Sequence, residues 1–269
     1  MFKTRILTAL VMLVVFLATL LFANQLFFTL LMLVVVAMAA YEWACLCLSN
    51  PALRWLYTVV VASLCLLFWY SAWASHLVIL SSIIWLISPL LLTVLVRNDT
   101  RPGLLILPGV LFLTAAYVAI LSLRWSVFPE LDWHLILSCL MIVWCADSFA
   151  YITGKRFGQR KLAPNISPGK TWEGVLGGLL SVVLVATTYW WLMSGHFPEL
   201  NWWLAICLIT GVFSVLGDLM ESCAKRIAGV KDSGNILPGH GGVLDRIDGV
   251  LAAAPIFMTL LLGYQWLQS

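Results

Sequence analysis

The chain has 269 residues, of which 62% are hydrophobic and only 10% charged, and its mean hydropathy is +1.01. A soluble domain carries about 25% charged residues, and a chain this apolar could not cover its own surface in water. A soluble protein is thereby excluded. An all-α, polytopic membrane protein is expected, with no nucleic-acid partner, and the net charge of +3 says little until the charges are placed.

Lys3 and Arg5 precede an apolar run from Ile6 to Ala23. The run is long for a signal peptide and no clear small-x-small cleavage site follows, so it reads as a retained first helix. A membrane span needs about 20 mainly apolar residues. Segments that qualify fall at about 5–23, 26–48, 55–71, 77–96, 103–123, 135–153, 174–193, 202–220 and 244–266, which makes about nine helices. Residues 1–134 form an N-terminal group of about five spans. Residues 135–269 form a C-terminal catalytic region with two long loops, all within one membrane unit. With the N-terminus in the cytoplasm and the spans alternating, every Lys and Arg except Arg124 falls on the cytoplasmic side. That is a strong positive-inside pattern, and it puts both long loops on that face.

The seven Cys are scattered through apolar runs, and Cys45 and Cys47 are the closest pair. They read as small buried residues rather than disulfides or a metal site. Glu42 is a lone acid inside the second span, expected to face the bundle as a packing or substrate contact. The Trp residues at 69, 73, 85, 125, 133, 190, 191, 202 and 203 sit near span ends and read as an interfacial belt. No internal repeat of the kind found in many transporters is evident.

Chemistry begins at Asp147, an uncompensated acid near the end of the sixth span, with Tyr151 and Gly154 on the same helical face. In the loop that follows, Ser167-Pro168 reads as a helix start with Ser167 as its cap. Gly169-Lys170-Thr171 is not a P-loop: the position of the leading glycine holds Pro164, and no strand precedes it. Ser167 and Lys170 match a serine beta-lactamase motif by spacing only, without its companion motifs. What remains is a lysine at a helix N-terminus, an arrangement that suits a phosphate. Gly174 and Gly178 suit close helix packing.

The densest polarity lies between Gly217 and Asp248, flanked by uncharged segments. Asp218, Ser222 and Lys225 share one helical face, with Glu221 beside them. Arg226 and Lys231 follow, then a glycine-rich turn holding His240, Gly241 and Gly242. Asp245 and Asp248, one helical turn apart, bracket Arg246 at the start of the last span. Acids at two helix ends, basic residues between them and a glycine turn form the set that holds Mg²⁺ and polyphosphate. A solvated positive-inside loop would explain the Lys and Arg but not acids at apolar helix ends.

These residues carry a resemblance to the CdsA-type phosphatidate cytidylyltransferases, also called CDP-diacylglycerol synthases. The family signature reads here as Ser222, Lys225-Arg226, Lys231-Asp232, His240-Gly241-Gly242 and Asp245-Arg246-Ile247-Asp248. Residues 146–151 and Ser167 through Trp172 are similar to the family as well, while Ala224 stands where it usually has a bulky apolar residue. The resemblance implies that CTP and phosphatidate give CDP-diacylglycerol and pyrophosphate, with Mg²⁺ as cofactor. It also implies a homodimer in the bacterial inner membrane, drawing lipid from the bilayer, with the active site on the cytoplasmic side. Carried over by position, Asp218, Asp245 and Asp147 are the implied metal ligands. Asp218, Lys225, Arg226, Asp245, Arg246 and Asp248 are the implied catalytic set. Ser167, Lys170, Thr171, Ser222, Lys231, His240, Gly241 and Gly242 are the implied substrate contacts.

Two other readings remain open at this level. A CDP-alcohol phosphotransferase would also be a Mg²⁺ enzyme of the membrane, but its Asp-Gly-x-x-Ala-Arg motif is missing after Asp248-Gly249. An ion-coupled transporter of phosphorylated solutes would place charges at mid-bilayer rather than on one face.

Overall fold

The computed structural model describes residues 11, 14–97, 101–125, 131, 133–193, 198–236 and 241–268. After a helical stretch at 14–22, helix α1 spans Gln25–Cys47 and α2 spans Pro51–Trp69. Each starts where an asparagine interrupts the apolar pattern. The Asn24 side chain accepts from the Phe27 N–H, and Asn50 from the Ala52 N–H with Pro51 in the first turn. Both are ordinary N-caps, which satisfy donors that have no partner inside the helix.

The span expected at 77–96 is instead two short helices, α3 (Ala74–Leu86) and α4 (Ser88–Arg97). Pro89 explains the break: it has no N–H to bond back one turn, and its ring crowds the preceding helix. A short 3₁₀ turn at Pro102–Leu105 leads into α5 (Ile106–Trp125), followed by α6 (Trp133–Phe157). Next come strands β1 (Lys161–Ala163) and β2 (Ser167–Thr171), then α7 (Trp172–Leu192), α8 (Leu200–Ile227) and α9 (Leu244–Gln268). Among the described residues, seven helices are long and apolar enough to cross a membrane: α1, α2, α5 with its leading turn, and α6 to α9. The protein is thus an all-α polytopic membrane protein decorated with one small hairpin.

That hairpin corrects the sequence reading of Ser167-Pro168 as a helix start. The two strands pair antiparallel, Lys161 with Thr171 and Ala163 with Ser167. The helix begins one turn later, and its cap is Thr171, whose hydroxyl accepts the Gly174 N–H at 3.1 Å. Lys170 therefore sits on a strand. A two-stranded ribbon leaves one side of each strand unpaired, so Pro168 is tolerated there. Glu173 ties the ribbon down by accepting the N–H groups of Gln159 and Arg160 at 3.1 and 3.2 Å.

The tryptophan belt also needs revision. Trp85 and Trp203 are 1% exposed and belong to the core: Trp85 stacks on Phe112, and the Trp203 indole donates to the Ala186 carbonyl at 3.1 Å. Trp191 and Trp202 keep to the surface. On α7, Leu176, Leu180 and Leu184 form an exposed apolar stripe, the side suited to lipid.

Small residues bring the site-bearing helices together. A Cβ at Gly178 would stand 2.6 Å from the Ala146 carbonyl oxygen, and one at Gly174 would stand 2.8 Å from that of Ala150, so α7 lies directly on α6. A Cβ at Gly217 would meet the Asp248 carbonyl and, at 3.2 Å, the Cα of Gly249, so α8 and α9 touch backbone to backbone. Both close approaches lie within a turn of a carboxylate in the cavity described next.

Candidate active site

The C-terminal parts of α6 and α8, the start of α9 and the hairpin surround a cavity of about 730 Å³. Its acids come from three helices: Asp147 from α6, Asp218 from α8, Asp245 and Asp248 from α9. Its cations are Lys155, Lys161 and Lys170. Asp147, Tyr151 and Gly154 all reach it, as their shared helical face requires. Four carboxylates and three ammonium groups around one space at the edge of an apolar bundle are costly to assemble, and a charged ligand is what such a space suits.

Lys170 is the centre of this arrangement. Its ammonium lies 2.6 Å from Asp218 Oδ2 and 3.5 Å from the Val215 carbonyl. Lys170 thus pairs directly with one of the four carboxylates that line this cavity. Ser222 does not reach the cavity and instead donates to Asp218 Oδ1 at 3.2 Å, which fixes that carboxylate's rotamer. Asp248 Oδ1 accepts the N–H of Gly249 at 2.7 Å.

Asp245 is bound differently. Its Oδ1 accepts from Lys225 Nζ at 2.8 Å, while Oδ2 accepts the N–H groups of Gly242 at 2.8 Å and Ser233 at 3.2 Å. Lys225 also pairs with Glu221, which is 1% exposed. Glu221, Lys225 and Asp245 thus form a buried charge network linking α8, α9 and the loop between them.

The profile of the Cytidylyltransferase family matches residues 3–263. A phosphatidate cytidylyltransferase of Pseudomonas aeruginosa is 38% identical over 276 aligned positions, covering 99% of both chains. One from Haemophilus influenzae is 33% identical over 96% of this chain and 97% of its own. A Bacillus subtilis protein of the same name is 42% identical over 156 positions, 57% of this chain and 58% of its own.

The chain belongs to the cytidylyltransferase family.

Not every residue singled out in this family member reaches the cavity. Asp147, Ser167, Lys170, Thr171, Asp218, Asp245 and Asp248 line it. Thr171 is nearly buried between Gly154 and Gly158 and acts as the cap of α7. Arg226 binds the hairpin turn, donating to the Ile166 carbonyl at 3.2 Å and to that of Val230 at 3.4 Å. Lys231 is exposed outside the cavity. Arg246 points to the other side of α9, where it borders an apolar cleft of about 200 Å³ with Trp144, Ile247 and Val250. Gly241 has a φ of +83°, a conformation that favours glycine, and Gly242 is buried. His240 lies outside the described residues.

Lys155 and Lys161 carry no distinguishing sequence signal, because Lys155, Arg156, Arg160 and Lys161 lie close together in the chain. Ser233 carries no sequence signal at all. Glu42 had one, its isolation in an apolar span, but its partners lie some 200 residues away.

Mg²⁺ is held by oxygen ligands, usually one or two protein carboxylates with substrate phosphates. The donors here are of that kind: carboxylates of Asp147, Asp218, Asp245 and Asp248 line one cavity. Among the described residues no three His, Cys, Asp or Glu side chains converge tightly enough to form a metal cage by themselves. One or two of these carboxylates, with phosphate oxygens of a substrate, would make up an oxygen shell of the kind Mg²⁺ takes.

Proposed function

We propose that this protein is a phosphatidate cytidylyltransferase, converting CTP and phosphatidate to CDP-diacylglycerol and pyrophosphate in phospholipid synthesis. Membership of the cytidylyltransferase family and the two near-full-length relatives of that name support the reading. The observation that carries it is the cavity where Lys170 meets Asp147, Asp218 and Asp248 at the end of apolar helices. Such a site handles a polyphosphate from water and a lipid phosphate from the bilayer.

In this reading a phosphatidate phosphate oxygen forms a bond to the α-phosphorus of CTP. The bond from that phosphorus to the oxygen bridging to the β-phosphate breaks, and pyrophosphate leaves with the electron pair. The nucleophile is already anionic at neutral pH, so no general base is required. Catalysis is then positioning and charge stabilisation. Lys170, Lys161 and Lys155 neutralise the phosphates. Lys225 and Ser222 hold Asp245 and Asp218 in place. One or two of the Asp218, Asp147 and Asp248 carboxylates would hold Mg²⁺; Asp245, the other ligand that the resemblance implies, lines the same cavity with its oxygens already accepting from Lys225, Gly242 and Ser233. Bound there, Mg²⁺ supplies neutralisation of triphosphate charge and polarisation of phosphoryl oxygens.

The N-terminus and the cavity face the cytoplasm of a bacterial inner membrane, an orientation supported by the distribution of Lys and Arg. About nine spans, with α3 and α4 together crossing as one span broken near Pro89, and a homodimer complete the picture, with residues 1–134 as scaffold and 135–269 as the catalytic region.

The test is transfer of label from cytidine-labelled CTP into lipid by the purified protein given phosphatidate. Lipid-extractable label that depends on phosphatidate supports the reading. Label that stays in water, or that enters lipid only with a diacylglycerol or an alcohol acceptor, overturns it.

A further inference from the structure

Glu42 lies in α1, is 2% exposed and does not line the cavity. A carboxylate buried in an apolar bundle needs hydrogen-bond donors. Its donors come from chain positions 191 to 202 residues away. Glu42 Oε2 accepts the Leu244 N–H at 2.7 Å and the Ser233 hydroxyl at 3.4 Å, and Oε1 accepts the Val243 N–H at 3.1 Å.

Leu244 opens α9, and the first N–H groups of a helix have no partner within it. The residue before it, Val243, has no side-chain acceptor, so α9 lacks the local cap that Asn24, Asn50 and Thr171 give to other helices. Glu42 supplies that cap from a different helix, and a negative charge is favoured at this end.

The chain is shaped to admit it. A Cβ at Gly242 would stand 2.5 Å from Glu42 Oε2, and one at Gly234 would stand 2.8 Å from its Cδ. Ser233 and Gly242 also donate their N–H groups to Asp245. Glu42 and Asp245 therefore grip the same piece of chain from two sides, and Asp248 follows one turn along.

We propose that Glu42 is a positioning residue for cytidylyl transfer: it fixes Ser233, Val243 and Leu244, and with them the helical turn that presents Asp245 and Asp248 to the cavity. The N-terminal half of the chain thereby takes part in catalysis without touching substrate. The inference rests on the function proposed above.

Glu42→Gln keeps the shape but sets an NH₂ group against backbone N–H donors. Measured beside wild type in detergent, kcat per folded molecule is expected to fall about 10- to 100-fold. KM for CTP is expected to stay within about threefold, because the phosphate-binding lysines do not depend on this contact. Gly234→Ala, whose new Cβ pushes on Glu42 rather than on a cavity residue, is expected to lower kcat in the same direction. A folded Glu42→Gln protein with wild-type kcat, whatever its melting temperature, overturns the proposal. If Glu42→Gln does not fold, Gly234→Ala decides, and a normal kcat there overturns it. If the wild type itself transfers no cytidylyl group, the function proposal falls. Amide exchange in the first turn of α9 then decides the placement: faster exchange in Glu42→Gln or Gly234→Ala supports it, and unchanged exchange overturns it.

Discussion

Replacing Lys225 by Met probes the charge network that joins α8 to α9. Lys225 pairs with Glu221 and lies 2.8 Å from Asp245 Oδ1, and the side chains of Lys225 and Asp245 are each 12% exposed, that of Glu221 1%. The substitution keeps most of the apolar stem and removes the only cation shared by the two acids in the described structure. Breaking a buried ion pair from one side costs about 3–5 kcal/mol, because the remaining charge is stranded. At about 2–4 °C per kcal/mol for a chain of this size, the melting temperature in detergent should drop by roughly 6–20 °C. A second change separates stranded charge from lost packing. Glu221→Gln combined with Lys225→Met removes one of the stranded acids, so the double variant should recover a large part of the loss. Thermal unfolding of wild type, both single variants and the double completes the cycle. A Lys225→Met protein that melts within about 2 °C of wild type, or a double variant with simply additive losses, would refute the reasoning.

Other expectations concern packing, capping and metal. Gly178→Ala should destabilise by about 1–3 kcal/mol, since its Cβ must push α7 off the Ala146 carbonyl; a neutral result in thermal unfolding contradicts the contact. Thr171→Ala should cost about 0.5–2 kcal/mol through loss of the α7 cap, with Thr171→Ser nearly neutral in the same assay. Turnover should be lost in EDTA and return on adding excess Mg²⁺. Full activity without divalent cations would contradict the assignment of the aspartates.

The legible part of this chain was its polarity in the wrong solvent. Asp147, Asp218, Asp245 and Asp248 stand out in the sequence because apolar helix ends tolerate such groups poorly, and all four line one cavity; Lys170 lines it too, although from a strand rather than from the helix N-terminus expected for it. Face assignment was legible too, but only where helical spacing was respected. Asp245 and Asp248 are one turn apart and share the cavity. Arg246, the immediate neighbour of Asp245, is turned about 100° around α9 and borders the apolar cleft instead.

Local signals that serve two structures misled. Ser167-Pro168 fits a helix start, yet it also fits an edge strand, and pairing with Lys161–Ala163 decided the matter. An apolar run from 77 to 96 is long enough to span, but Pro89 divides it. Long-range pairing was out of reach altogether. Nothing near Glu42 in sequence indicates that its donors are Ser233, Val243 and Leu244, and nothing near Arg226 indicates the Ile166 carbonyl.

The central claim is that the Lys170–Asp218 cavity transfers a cytidylyl group to a lipid phosphate. The direct measurement follows two labels of CTP, one on the α- and one on the γ-phosphate, with purified wild type, Asp218→Asn and phosphatidate. For wild type, the α label should enter lipid in a one-to-one ratio with γ label released as pyrophosphate. Folded Asp218→Asn should lose about 100-fold or more of both. Wild-type turnover by Asp218→Asn, or γ label released as inorganic phosphate without α label in lipid, would contradict the account.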